Sequence, residues 1–227
     1  MLQFLTLNEA PEIILTIVLA YFLAVCIAIS FHEYAHSFSA YKCGDITPKA
    51  NGRLTLNPFA HFSGLGLLCF LFVGFGWAKP VKINPNNFRN HKKGLIAVSL
   101  SGVLTNLALA FLFSGVLNIL IAFGLDIYSP NLMINFIYYF VYFCVVLNLA
   151  LFIFNLLPIY PLDGFNFLAT FLKYDNKFVQ FMYRYGPILL IIAIMPVFYG
   201  QSLLQLLYNE VILGIISLFS QFWGLFF

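Results

Sequence analysis

Charged side chains are scarce in this sequence: 8% of its 227 residues are Asp, Glu, Lys or Arg, against about 25% in soluble domains. The net charge of +3 is small, and no basic run is interleaved with aromatic residues, so no nucleic-acid partner is expected. The four cysteines lie far apart without C-x-x-C spacing, which argues against a disulfide framework. The chain also lacks an internal repeat, a low-complexity segment and room for a separate soluble domain.

Apolar residues are abundant instead, at 62% of the chain, which fits lipid as the solvent better than a large soluble core. The N-terminus has no basic n-region, so we expect the first apolar run to be a retained helix from about Pro11 to Tyr41, with Gly44 as its stop. Further spans are expected at Gly94–Gly124 and Leu132–Leu157. The sequence thus predicts an all-α polytopic membrane protein, a helix bundle in a single domain over residues 1–227.

Two irregular segments separate the first two spans. Asn51 and Gly52 form a turn signal and residues 53–56 alternate, so a small β-hairpin or edge strand is expected near residues 46–58, with a solvated loop as an equal alternative. An unpaired edge there would receive an extended peptide by strand addition. Residues 62–77 are apolar, glycine-rich and short for a full crossing, so a re-entrant segment is expected.

The clearest chemical signal is FHEYAH at residues 31–36. His32 and His36 are four apart, so they share one face of a helix, and their imidazoles can bind a single zinc ion. Glu33 follows the first histidine, where its carboxylate can act as a base. Chance would give H-E-x-x-H in roughly one chain in a thousand of this composition. Because ionisable groups next to an apolar run are costly and usually functional, we predict an intramembrane metal site.

A third metal ligand is predicted at Asp163, just beyond the third span. Pro158, Pro161 and Gly164 interrupt any helix there, so this carboxylate lies on irregular backbone at membrane depth, tolerated only in buried protein or beside water. Asp163 would alternatively cap a helix starting at Phe165. Beside a two-histidine site that lacks a third ligand, the metal interpretation is the better one.

All 11 Lys and Arg residues fall in three segments of the chain. If residues 62–77 are re-entrant, all three segments lie on one membrane face, which the positive-inside rule makes cytoplasmic. The metal-binding turn then lies toward the cytoplasmic side of a multi-pass cell-membrane protein. Near the C-terminus, Lys173–Arg184 is expected to be amphipathic and interfacial, and residues 186–227 are expected to form a helical hairpin.

Five segments together resemble the site-2 protease family of intramembrane zinc metalloproteases: FHEYAH, NGRLTLNPFAH, GWAKPVKINPNNF, SGVLTN and NLLPIYPLDG. The resemblance implies a catalytic core of three transmembrane helices over about residues 11–165. It also implies one catalytic Zn²⁺ held by His32, His36 and Asp163, with Glu33 as the catalytic base. The implied substrate is a membrane-tethered protein, often a regulator, cut within its transmembrane segment. With neither a PDZ nor a CBS domain, the chain is similar to compact members of the family.

Supporting roles are predicted for further residues. Asn155 or Asn106 would add a hydrogen bond to the oxyanion formed during peptide hydrolysis. The edge predicted for substrate pairing consists of Arg53, Leu54, Thr55 and Leu56. Two positions depart from the family pattern, since Ser63 stands within the usual H-x-D-P and Val103 replaces the proline of G-P-x-x-N. Neither departure touches a predicted zinc ligand.

Two other functions would use the same residues. A polytopic metal-ion transporter would bind a transported ion through His32, His36 and Asp163, although transporters often carry repeats with broken helices in corresponding halves. A proteolytically inactive, zinc-stabilised binding module would have no need of Glu33, because a structural zinc site is usually closed by four protein ligands. The sequence names neither the substrate nor an oligomeric state.

Overall fold

The computed structural model of the chain describes residues 10–64, 66, 78–125, 127, 129–195, 202 and 208–226. The described residues are mostly helical. In chain order the helices are α1 (Pro11–Cys43), α2 (Thr47–Ala50), α3 (Pro58–His61), α4 (His91–Ala122), α5 (Leu132–Leu156), α6 (Asp163–Ala169), α7 (Lys177–Ile194) and α8 (Leu213–Trp223). A 3₁₀ turn at Pro85–Asn87 precedes α4, and a π-helical turn at Tyr208–Ile212 leads into α8.

Within the described ranges, three helices are long and apolar enough to cross a membrane: α1, α4 and α5, with 33, 32 and 25 residues. At 1.5 Å per residue each exceeds the hydrocarbon core of about 30 Å, and they pack against one another in all three pairings. The three long apolar helices predicted as spans are therefore confirmed. α1 begins at Pro11, and Gly44 ends it in the left-handed region at φ 115°, as its sequence predicts.

The predicted β-hairpin near residues 46–58 is not confirmed, because no strand occurs in the part of the chain that the structure describes. Instead, Thr47–Ala50 forms a single helical turn. The carboxylate of Asp45 holds the start of this turn by accepting hydrogen bonds from the Thr47 N–H and hydroxyl at 3.0 and 2.6 Å. Gly52 has a φ of 65°, and the Arg53 N–H returns to the Pro48 carbonyl at 2.8 Å. The turn signal was therefore real, but it closes a helical turn rather than joining two strands.

Most of the predicted re-entrant segment, residues 62–77, lies outside the described residues, but its two flanks are described. Phe62 and Ala78 pair in an isolated antiparallel bridge, and the Lys79 N–H donates to the His61 carbonyl at 2.7 Å. The guanidinium of Arg53, which is buried, donates to the carbonyls of Ala60 and Lys79 across the same junction. The chain therefore leaves α3 and returns beside it.

The C-terminal helices do not begin and end where the sequence predicts. α7 is one continuous helix through the segment expected to be interfacial and into the apolar segment, and the side chain of Asn176 caps it by accepting from the Phe178 N–H at 2.9 Å. α8 packs on α4, where the Trp223 indole donates to the Phe111 carbonyl at 3.0 Å and lies against Gly115. The hairpin predicted for residues 186–227 falls partly outside the described residues.

Candidate metal centre

The structure brings His32, His36 and Asp163 together. The two histidine Nε2 atoms are 3.0 Å apart, and the Asp163 Oδ2 lies 3.3 Å from His32 Nε2 and 3.1 Å from His36 Nε2. Both histidines lie on one face of α1, four residues apart, and both are 8% exposed. Across the described ranges, no other set of three His, Cys, Asp or Glu side chains is close enough to share a metal ion.

Asp163 reaches this position because the chain turns sharply between α5 and α6. The α6 helix starts at Asp163 itself, with Leu162 at the N-cap position, and no side-chain hydrogen bond caps it. The alternative role of Asp163 as a helix cap is therefore not what the structure contains. Gly164 is needed here, because a Cβ on it would collide with the Leu156 and Leu157 backbone, so a larger residue would push α6 and its carboxylate away from α5.

Hydrogen bonds behind the histidines fix which ring nitrogen carries the proton. His32 Nδ1 lies 2.6 Å from the Asn106 Oδ1, and His36 Nδ1 lies 2.9 Å from the Val98 carbonyl oxygen. Both partners are acceptors, so each Nδ1 donates a hydrogen, and each neutral ring presents its Nε2 lone pair toward the other ring and toward Asp163. Two lone pairs and a carboxylate oxygen thus converge on one point.

A divalent cation fits this donor set. Tetrahedral zinc, with ligand bonds of about 2.0–2.1 Å, places its ligand atoms about 3.3 Å from one another. The observed separations of 3.0 to 3.3 Å among the donors of His32, His36 and Asp163 are close to that value. The Asp163 Oδ2 is also buried without a hydrogen-bond partner, and a bound cation would remove that penalty.

A chain of buried amides crosses the bundle behind His32. The Asn106 Nδ2 donates to the Ala28 carbonyl at 3.2 Å and to the Asn148 Oδ1 at 2.7 Å, and the Asn148 Nδ2 donates to the Cys144 carbonyl at 2.7 Å. Asn106 uses both of its side-chain N–H bonds on these two partners, and it does not line the cavity over the donors. It therefore does not fit the predicted role of donor to the oxyanion. It joins α1, α4 and α5 and orients the His32 ring. Asn148 was missed by the sequence analysis, although an amide in the middle of an apolar helix was its signal.

Gly102 on α4 forms the surface on which the two imidazoles rest. A Cβ on Gly102 would lie 2.5 Å from His36 Nε2 and 2.6 Å from His32 Cε1, closer than side-chain atoms tolerate. Glycine is therefore the one residue that lets α4 approach this close to the ring pair. Val103, the departure from the family pattern, is buried next to Gly102 and leaves the donor set untouched.

A cavity of about 240 Å³ opens over the donors. Its lining is His32, Glu33, His36, Pro80, Val81, Ile83, Val98, Ser99, Asn155, Pro161, Asp163 and Asn166. The predicted base Glu33 and the predicted hydrogen-bond donor Asn155 are thus both present, and Asn155 uses one N–H on the Leu151 carbonyl at 3.0 Å. Asn166, one helical turn after Asp163, was missed by the sequence analysis.

The cavity wall is not the segment that the sequence predicts. Among the residues that the structure describes, none of Arg53, Leu54, Thr55 and Leu56 lines the cavity, and Leu56 instead borders an apolar recess on the far side of α1. The wall consists of residues 80–83, which run without helix or turn. No hydrogen bond joins the backbone of residues 81–83 to the described residues, so the amides and carbonyls of this stretch are unpaired there, beside the donors.

Asp45 anchors that wall to the end of α1. Its side chain is fully buried, and besides Thr47 it accepts from the Asn84 N–H and the Asn87 Nδ2, both at 2.8 Å. Burial alone would raise the pKa of this carboxyl, but the hydrogen bonds from Thr47, Asn84 and Asn87 outweigh it and hold the pKa below its ordinary value. The carboxylate is therefore charged at neutral pH.

A membrane-length helix bundle with a buried two-histidine, one-carboxylate donor set defines a membrane metalloprotein. Comparison with known families agrees, since the profile of peptidase family M50 matches residues 121–197, which include Asp163. The chain belongs to peptidase family M50, the site-2 protease family, and is a zinc peptidase by that membership. Zinc is the family's metal, and the donor set described above fits it.

Curated relatives carry the same description. The proposed zinc metalloprotease YwhC of Bacillus subtilis is 40% identical over 152 residues, which cover 65% of this chain and 67% of that protein. The proposed zinc metalloprotease Rip2 of Mycobacterium tuberculosis is 29% identical over 156 residues, and that of Mycolicibacterium smegmatis is 26% identical over 155. Each match covers 66% of this chain and 56% of the relative, so the chain spans little more than half of the mycobacterial proteins. No solved structure matches the chain.

Proposed function

We propose that this protein is an intramembrane metalloprotease that hydrolyses peptide bonds in transmembrane segments of membrane-tethered, regulatory proteins. One observation carries the proposal: three donor atoms converge within 3.3 Å inside a cavity that Glu33 also lines, on a helix of membrane-crossing length. A purely structural zinc site would have four protein ligands and no acid–base group beside them.

In this proposal His32, His36 and Asp163 hold zinc, and Glu33 is the catalytic base. When bound, zinc supplies Lewis-acid chemistry, making a water molecule more acidic and polarising the scissile carbonyl. The carboxylate of Glu33 accepts a proton from the attacking water and returns it to the leaving amine. Asn106 and the Val98 carbonyl hold the two imidazoles in the tautomer that leaves Nε2 free, and the second N–H of Asn155 is directed to the oxyanion.

The substrate segment must leave its helical form before cleavage, because a helix ties up its own amides and hides the carbonyl under attack. The unpaired edge at residues 81–83 supplies new partners for those amides by strand addition, beside the donors. This edge replaces Arg53–Leu56 as the segment on which the substrate is aligned. Substrates with helix-destabilising residues near the cleavage point are therefore favoured.

The catalytic face is assigned to the cytoplasm of a multi-pass cell-membrane protein. The pairing of Phe62 with Ala78 supports this, because both flanks of residues 63–77 lie at one level of the molecule. All 11 basic side chains then fall on a single face, the arrangement that the positive-inside rule makes cytoplasmic. A metal-ion transporter, the alternative function, would need a second route by which the ion leaves the donors. A route past Gly102 is closed, because α4 packs directly on the two imidazole rings there.

The test is a cleavage assay on purified, reconstituted protein with a single-span substrate, comparing wild type with Glu33→Gln. Glutamine keeps the shape but cannot accept a proton, so zinc content should be unchanged while the cleavage rate falls by about 10²–10⁴-fold. Retained cleavage would remove Glu33 from the mechanism. Zinc-loaded wild-type protein that moves zinc across a vesicle membrane and cuts no substrate would favour the transporter.

A further inference from the structure

A second cavity adjoins the one over the donors. It measures about 430 Å³, within the range of pockets that bind small ligands, about 300–1,000 Å³. Four residues line both cavities: Ile83, Val98, Ser99 and Asn166. Because the Val98 carbonyl is itself the partner of His36, the two cavities meet within one residue of the metal centre. The second cavity therefore borders the site directly.

Two helix faces carry the lining outward from the donors. On α6, Asp163 is followed one turn later by Asn166 and another turn later by Ala169, and the last two line the second cavity. On α4, Ser99 is preceded at matching spacing by Leu95. An extended peptide that crosses the donors along these two helix faces would reach the second cavity. It would then run toward the start of α4, where basic side chains lie.

The second cavity is chemically different from the first. Its walls are mainly apolar and aromatic, including Phe88, Leu95, Ala169, Tyr174 and Tyr183, and in the described part of the chain no Asp, Glu, Lys or Arg lines it. His91 and Thr170 also line it, but no side chain of fixed charge among the described residues does, so a charged side chain placed there would gain no ion-pair partner, whereas an apolar side chain would gain by leaving water.

The boundary between the cavities carries polar groups free to bind a backbone. The side-chain amide of Asn166 is exposed and makes no hydrogen bond with the described residues, and neither does the hydroxyl of the buried Ser99. Asn166 on α6 and Ser99 on α4 each line both cavities. Free donors and acceptors at this point suit an extended peptide, whose amides recur along its length.

We propose that this second cavity is a specificity subsite, which binds a large apolar side chain of the substrate on the flank of the scissile bond toward the basic face, with Ser99 and Asn166 holding the adjoining backbone. The proposal rests on the proposed protease function. Such a subsite favours transmembrane segments that carry a bulky aliphatic or aromatic residue at one defined position. It disfavours a charged residue at that position.

The experiment is a cleavage assay with substrates that carry Ala, Leu, Phe or Lys at each position around the scissile bond. At one position on the basic-face flank, wild type should cleave Leu and Phe substrates at least about tenfold faster than Ala, since even one methylene group in an apolar pocket is worth about 10–200-fold. Ala169→Phe fills the cavity and should remove that preference by slowing only the bulky substrates. Leu168→Phe, on the same helix outside both cavities, should keep it.

A crosslinking measurement tests the placement without turnover. In the inactive Glu33→Gln protein, Ala169→Cys should form a disulfide with a cysteine at that same substrate position, and Leu168→Cys should not. Cleavage of the whole panel without a size preference, or crosslinking no stronger at Ala169→Cys than at Leu168→Cys, would overturn the subsite while leaving the protease standing. If wild type cleaves no substrate at all, the protease proposal and the subsite fall together.

Discussion

The two sides of the cavity over the donors are built in different ways. The donor side, formed by His32, His36 and Asp163, is buried between long helices, and its rings are oriented by Asn106 and the Val98 carbonyl. The opposite side, the wall at residues 80–83, has no helix or strand of its own and is attached through hydrogen bonds to one carboxylate, Asp45, two residues beyond α1.

The difference separates chemistry from substrate handling. Groups that must hold a metal at fixed distances sit in close-packed helices, where displacement by a fraction of an ångström is resisted by the whole bundle. The groups proposed to accept an incoming peptide lie on a segment whose backbone makes no hydrogen bond at residues 81–83 with the described residues. Changes on the donor side should therefore abolish zinc binding and turnover, and changes at the wall anchor should alter substrate binding.

The largest effect is expected from Asp163→Ala. Removing the carboxylate leaves two imidazole donors, too few for tight zinc binding, and zinc measured by atomic absorption should fall to background together with cleavage. Helical content by circular dichroism should stay near wild type, because the carboxylate makes no capping bond to α6. Full zinc occupancy in Asp163→Ala would mean that the donor set is not the metal site.

Gly102→Ala should come next. The added methyl group would lie 2.5 Å from His36 Nε2, so either a ring or α4 must shift, and zinc affinity should fall by about 10–100-fold, as when supporting residues of other metal sites are changed. Gly115→Ala is the matched change on the same helix. It presses on Trp223 instead and should lower thermal stability without changing zinc affinity. Equal zinc affinity in both variants would contradict the close approach at Gly102.

Asn106→Leu tests the orientation of His32. Leucine keeps the branched shape but removes the acceptor for Nδ1–H and leaves the Asn148 Oδ1 without its donor, so zinc affinity should drop by about tenfold. Asn106→Asp, which restores an acceptor for His32, should recover part of that affinity. If both variants bind zinc as wild type does, Asn106 contributes packing alone.

The smallest effect on chemistry is expected from Asp45→Asn. An amide would turn an N–H toward donors from Thr47, Asn84 or Asn87, so the wall should loosen and KM should rise several-fold with kcat and zinc content little changed. Asp175→Asn, at an exposed site, is the control. An unchanged KM would show that the wall does not depend on this carboxylate.

The anchor also has a defined pH dependence. Because its pKa is below the ordinary value in the folded protein, the stability that Asp45 contributes is present above the ordinary carboxyl range and is lost as the pH falls through its lowered pKa. KM should therefore be constant near neutral pH, and acid should weaken the anchor only below that ordinary range.

The same contrast explains how much of the molecule the sequence predicts. The three long helices follow from apolar length, and Gly44 marks the end of α1, since these signals are local and few competing structures exist in lipid. The meeting of His32, His36 and Asp163 was predicted because two rare residue patterns both require a cation. Each helix signal and each ligand pattern is carried by one short stretch of sequence, and the incomplete two-histidine set is what links the two ligand patterns.

The wall and the supporting residues escape prediction for a physical reason. Residues 53–56 carry an alternating pattern beside a turn signal, whereas residues 80–83 carry no such pattern and are held near the cavity by the long-range bonds of Asp45 to Asn84 and Asn87. Likewise Asn106 reads as an interhelical amide, but its alignment with His32 depends on how α1 and α4 cross. Such contacts join residues more than thirty positions apart and leave no trace in local spacing.

The split of the donor set between the start of the chain and the turn after α5 has a consequence for biosynthesis. As the polypeptide emerges from the ribosome, α1 enters the bilayer with both histidines, but their third partner is not yet made. The centre assembles only when α4 has supplied Gly102 and α5 has brought Asp163 into register. A zinc peptidase made in this order has no complete donor set, and therefore no zinc-dependent activity, until the turn after α5 has been synthesised.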